Sequence, residues 1–101
     1  MPVDQPTPVR ARPRLAVTLG DPRGIGPEVV SAAMRDPRVQ EAADLVIVGP
    51  SAHETGLVAD ESIGDWEPGG GPAAAGALAG RAIERAVALA SGGGVEGIVT
   101  A

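Results

Sequence analysis

The chain contains no cysteine, no phenylalanine, no tyrosine and no lysine. Each absence removes a class of chemistry. Without cysteine there is no disulfide, no thiolate nucleophile and no Cys-ligated metal, which fits an expected cytoplasmic location. Without lysine, all eight basic residues are arginines, so neither a P-loop lysine nor a Schiff-base lysine comes from these residues. Trp66 is the only aromatic residue. A core must therefore be built from Ala, Val, Leu and Ile, and alanine buries little area. Positive charge is also scarce. The formal net charge of -5 opposes a nucleic-acid partner, because phosphate backbones require clustered positive charge. No apolar run approaches the roughly 20 residues of a membrane span, so no membrane partner is expected. Residues 1–14 hold four prolines and three arginines. They lack the apolar stretch of a secretory signal.

What is present reads as one small α/β domain, since 101 residues allow no more. Residues 1–13, rich in Pro and Arg, read as a disordered tail. Arg14 to Leu19 reads as a first strand. Its mostly apolar run suits a strand covered on both faces. Pro27 at a first helical position and Glu28 in the first turn open a helix. Asp36-Pro37 stops it near Arg35. Gln40 to Asp44 leads into a second strand, Leu45 to Val48, closed by Gly49-Pro50. Ser51 to Val58 reads as a short helix, and Asp60 to Gly71 as an acidic loop. Ala73 to Ala90 gives the clearest helix, with Leu78, Ala82, Ala86 and Leu89 in one stripe, and Ala79, Ile83 and Ala90 beside it. Gly76 and Gly80 on that helix suggest close packing on a sheet. Val95 to Thr100 reads as a buried last strand. This alternation predicts a mostly parallel sheet with flanking helices, with ligand loops at the carboxyl ends of its strands.

The most informative stretch is Gly20-Asp21-Pro22-Arg23-Gly24-Ile25-Gly26-Pro27-Glu28. It joins the first strand to the first helix. Such a turn aims free backbone N–H groups and the positive end of a helix dipole at one place, where anions bind. It is not the dinucleotide fingerprint, because Val29 occupies the third glycine position and no acid ends the second strand. A ligand loop and a purely structural tight turn both remain open on these grounds. His53, the only histidine, reads as a surface residue. The acids Asp60, Glu61, Asp65 and Glu67 lack calcium-loop spacing and read as a solvated loop.

The same nine residues resemble the GDPxGIGPE signature of the 4-hydroxythreonine-4-phosphate dehydrogenase (PdxA) family. Val95-Glu96-Gly97-Ile98-Val99-Thr100-Ala101 is similar to the start of that family's VDAIVTAPxxK segment. Ala75 to Ala79 and the helix after them resemble the helix before it. The matches occur in the family's order and cover nearly all of residues 14–101. The resemblance implies the N-terminal portion of an isocitrate/isopropylmalate dehydrogenase-like α/β domain. The expected activity is NAD-dependent oxidation, with decarboxylation, of 4-hydroxythreonine 4-phosphate during pyridoxal phosphate formation.

The resemblance further implies NAD or NADP, a divalent metal such as Zn, Mg or Co, a phosphorylated hydroxy-amino acid substrate and a homodimer for the full-length protein. The family's metal histidines and the lysine completing the last motif have no counterpart in residues 1–101. No catalytic residue and no metal ligand is therefore expected here, and the isolated chain is expected to be inactive. Gly20, Asp21, Gly24, Ile25, Gly26 and Glu28 are the cofactor-binding candidates, lining a cleft, and Thr100 is the substrate-binding candidate. Each has a structural alternative. Asp21 suits an Asx cap, Gly24 and Gly26 suit backbone freedom, Glu28 suits a first-turn acid and Thr100 suits a loop cap. Two other functions share these residues: a sister dehydrogenase of four-carbon acid-sugar phosphates or dihydrodiols, and a non-catalytic remnant or small phosphate- or nucleotide-binding module.

Overall fold

A computed structural model describes residues 12–101. The tail expected over residues 1–13 lies outside the described residues up to residue 11. Arg12 is tied down, pairing with Asp44 at 3.0 Å and donating to the Gln40 carbonyl. The chain then runs β1 (Arg14–Thr18), α1 (Gly26–Met34), α2 (Pro37–Ala42), β2 (Asp44–Gly49), β3 (Glu61–Ser62), α3 (Pro72–Ser91) and β4 (Gly97–Thr100). The strands form one sheet in the order β3-β2-β1-β4, and every pairing is parallel. The fold is α/β, as the alternation of elements predicts.

Successive residues of a strand point to opposite faces, and the core divides accordingly. Ala16, Val46 and Val48 pack with Ala82 and Ala86 of α3 on one face. Val17, Leu19 and Ile47 pack with Val30 of α1 and with Leu57 on the other. The connection β1-to-β2 runs one way along the sheet, and β3-to-β4 runs back past β1. Right-handed crossovers moving in opposite directions put their helices on opposite faces. The α3 residues that meet the sheet here are the alanines Ala82 and Ala86, so small side chains fill this face in place of aromatics.

Besides β3, which forms inside the expected acidic loop Asp60 to Gly71 and whose Glu61 pairs with Arg85, four expectations need correction. First, α2 forms where only a lead-in to β2 was expected. The Asp36-Pro37 pair that ends α1 also starts α2, because Asp36 caps the Arg38 N–H and Pro37 takes the first helical turn. Second, Ser51 to Val58 is not a helix. Gly56 has φ +90°, and Ala52 and Val58 form an antiparallel bridge. The His53 N–H donates to Leu57 O and the Gly56 N–H to His53 O, closing a tight turn. Third, the last strand is not buried. Among the described residues it lies at the sheet edge with one neighbour, leaving Ile98 40% and Val99 45% exposed. Fourth, a Cβ on Gly76 or Gly80 meets nothing within 4 Å. These glycines face open space, not the sheet, and Ile83 is likewise exposed.

These placements set opposite signs for two substitutions. Ile47 is fully buried, so Ile47→Ala is expected to lower stability by about 2–5 kcal/mol. Gly76→Ala enters open space inside a helix and is expected to raise it by about 0.5–1 kcal/mol. Urea unfolding of the two variants beside the unchanged chain measures both.

Candidate functional site

At β1 the chain changes direction along the sheet. Its neighbour β2 follows it in sequence, whereas β4 arrives from the far edge through α3. In α/β sheets the crevice outside the carboxyl ends of two such strands receives ligands. The segment from Gly20 to Glu28 leaves β1 at that end. Ala101 follows β4 into the same place, its N–H donating to Thr18 O at 3.0 Å.

The glycines of the segment serve close backbone approach. Gly20 has φ +73°, and a Cβ there would stand 2.6 Å from the Ala101 carbonyl oxygen. A Cβ on Gly26 would overlap the Leu19 carbonyl oxygen and stand 3.4 Å from the Ala101 carbonyl carbon. Gly24 donates its N–H to Asp21 O at 2.9 Å, and a Cβ there would lie 3.3 Å from that oxygen. The loop therefore closes on itself and on β4.

Asp21 is engaged within the loop. Its Oδ1 accepts the Arg23 backbone N–H at 2.8 Å and Nε–H at 3.1 Å, and its Oδ2 accepts from Nη2 at 2.7 Å. The Asp-Pro-Arg tripeptide recurs at Asp36-Pro37-Arg38 with the same three bonds, at 2.9, 3.1 and 2.7 Å. One tripeptide in two settings gives one clamp, so the clamp is written in local sequence. The guanidinium beside each carboxyl holds Asp21 and Asp36 below the usual aspartate range.

The other candidates point outward. Ile25 is 73% exposed. Glu28 is exposed, and among the described residues its carboxylate has no hydrogen-bond partner. The Val29 N–H is taken by Ile25 O. Among the described residues no backbone or side-chain acceptor takes the N–H of Ile25, Gly26 or Glu28. Three donors at the N-terminus of α1 thus remain for an anionic oxygen. Thr100 stands opposite Thr18 in the β1–β4 register. It lines a groove of about 270 Å³ with Val17, Val29, Val30, Val99 and Ala101. That groove is apolar and suits no phosphate by itself. The structure brings Gly20, Gly26 and the end of β4 together, and leaves Glu28 and Ile25 at the rim.

His53 is not a free surface residue. It is half-buried, and its Nε2 lies 2.7 Å from Pro22 O within the loop. No spacing rule reveals this, since the partner is a backbone carbonyl 31 residues away. Among the described residues no group of three or more His, Cys, Asp or Glu side chains could hold a metal ion. The metal implied by the resemblance does not fit these residues.

Comparison with known proteins supports the resemblance. The chain is 60% identical over 38 residues to the 4-hydroxythreonine-4-phosphate dehydrogenase of Synechococcus sp. (strain JA-2-3B'a(2-13)), covering 38% of this chain and 11% of that protein. It is 50% identical over 42 residues to the enzyme of that name from Nostoc sp. (strain PCC 7120), covering 42% and 12%. It is 42% identical over 41 residues to that of Geobacter metallireducens, covering 41% and 12%. The match thus spans only about a tenth of these relatives' length. No family model matches the chain, and no solved structure matches it.

The loop packing gives two expected outcomes. Gly26→Ala drives a methyl into backbone and is expected to destabilise by about 1–3 kcal/mol in urea unfolding. The Asp21 carboxyl, followed by NMR, is expected to titrate below an ordinary aspartate and to rise only part of the way back in Arg23→Ala, which removes the guanidinium but keeps the backbone N–H on Oδ1. Its lowered value means that its contribution to stability is present above the ordinary aspartate pKa and is lost as pH falls through the lowered one.

Proposed function

We propose that this chain is the N-terminal part of an NAD- or NADP-dependent, divalent-metal-requiring dehydrogenase. In this reading the parent protein oxidises and decarboxylates 4-hydroxythreonine 4-phosphate in pyridoxal phosphate formation. It has the isocitrate/isopropylmalate dehydrogenase-like fold, is cytoplasmic and is a homodimer. The observation that carries the reading is the placement of Gly20 to Glu28. A segment with the family's signature lies at the carboxyl ends of β1 and β4, where a sheet of this order receives ligands. The names of the relatives support the same reaction class.

Within this reading the chain's residues bind and orient. The N–H groups of Ile25, Gly26 and Glu28 receive anionic oxygens of a phosphorylated ligand or the cofactor. The Glu28 carboxylate accepts from a ligand hydroxyl, and the Thr100 hydroxyl meets the substrate at the end of β4. Gly20, Gly24 and Asp21 act indirectly, by fixing the loop's path. The cofactor, when bound, accepts the hydride. No described residue supplies the metal ligands or a proton-transfer group placed for the reaction, so those functions are assigned to other parts of the parent protein.

The test is the intact mass and activity of the protein isolated from its native source. The expected result is a mass well above 10.0 kDa, with NADH or NADPH formation from 4-hydroxythreonine 4-phosphate in the presence of a divalent metal. The 101-residue chain alone is expected to form none under the same conditions. A native mass of 10.0 kDa without turnover overturns the reading, and turnover by the isolated chain overturns the division of roles.

A further inference from the structure

We infer that His53 is a positioning residue for the Gly20–Glu28 loop, acting as a neutral imidazole of fixed tautomer through the Pro22 carbonyl. The assignment follows from donors and acceptors. The Thr55 backbone N–H lies 3.1 Å from His53 Nδ1. A backbone N–H only donates, so Nδ1 accepts and carries no proton. In the neutral ring the proton is then on Nε2, which donates to Pro22 O at 2.7 Å. The Thr55 hydroxyl, 3.1 Å from the same Nδ1, adds a second contact on the accepting side.

The anchor behind the imidazole is rigid. The tight turn of residues 53–57 is closed by the His53 N–H to Leu57 O and the Gly56 N–H to His53 O. Leu57 is buried among Val17, Leu19, Val30 and Ile47. Next to His53, the Glu54 carboxylate accepts the Trp66 indole N–H at 2.8 Å. The turn is thus held by the core on one side and by Trp66 on the other, and its histidine reaches the loop. Pro22 has no N–H of its own, so its carbonyl is the group through which this position can be held by the backbone. Holding it turns that carbonyl toward the imidazole, while the next two N–H groups, of Arg23 and Gly24, bond back to Asp21 within the loop. That the loop contacts a ligand rests on the dehydrogenase reading. That His53 positions it does not, and the test below uses no ligand.

Two measurements on the full chain decide the matter. The first is the nitrogen–proton correlation spectrum of the His53 ring, expected to show the proton on Nε2. A proton on Nδ1 overturns the proposal, and this result needs no variant. The second is amide hydrogen exchange at Gly24 and Val29, whose N–H groups bond within the loop and first helical turn. In His53→Ala these amides are expected to exchange on the order of five- to tenfold faster, the loss of one hydrogen bond. The β2 amides are expected to stay unchanged. His53→Gln, which keeps a donor and an acceptor, is expected to recover most of the protection. Unchanged loop amides in His53→Ala, or equal acceleration of loop and β2 amides, overturns the proposal.

Discussion

Three stretches of backbone converge at the carboxyl end of β1, and the rest of the structure depends on their closeness. The Leu19 carbonyl lies where a Gly26 side chain would be, and the Ala101 carbonyl lies where a Gly20 side chain would be. This contact joins the first loop, the start of α1 and the end of the last strand. It settles why glycine occupies two positions of the signature: the reason is packing between backbones, before any ligand is considered. It also ties the loop to the start of α1, where no described acceptor takes the N–H groups of Ile25, Gly26 and Glu28.

Around this junction the chain makes an all-parallel sheet with few large side chains. Alanines of α3 face the sheet on one side and Leu, Ile and Val fill the other. The sole indole is set apart, in a third cluster with Ala75 and Leu78. β4 completes the junction but among the described residues has a neighbour on one side only, so Ile98 and Val99 stand partly in solvent on the two faces of the edge. An edge with unpaired backbone and apolar side chains invites pairing with other chains.

Much of this was legible in the sequence where the signal was local. The apolar runs of β1 and β2, the stripe of α3 and the Asx cap of Asp21 each follow from a few neighbouring residues, whereas the Arg23 guanidinium closing on Asp21 was not expected. The misreadings share a different cause. Asp36-Pro37 carries a stop and a start at once, and nothing local says that both are used. Gly56 turned a presumed helix into a tight turn, because its positive φ is decided by what the turn must join. The exposure of β4 depends on strand order, which an apolar run cannot report. Likewise Gly76 and Gly80 show that two glycines spaced on a helix do not say which face of it meets the sheet. His53 was least legible of all, since its partner is a carbonyl, and carbonyls have no sequence.

The lone tryptophan has an optical consequence. With no tyrosine and no second tryptophan, the near-ultraviolet absorption and emission of this protein belong to Trp66. Its indole N–H is held by Glu54, the residue next to the histidine that grips the signature loop. The environment that sets its colour therefore includes the anchor of that loop. The protein carries one intrinsic fluorophore, placed beside the turn that matters, and reports on it without any label.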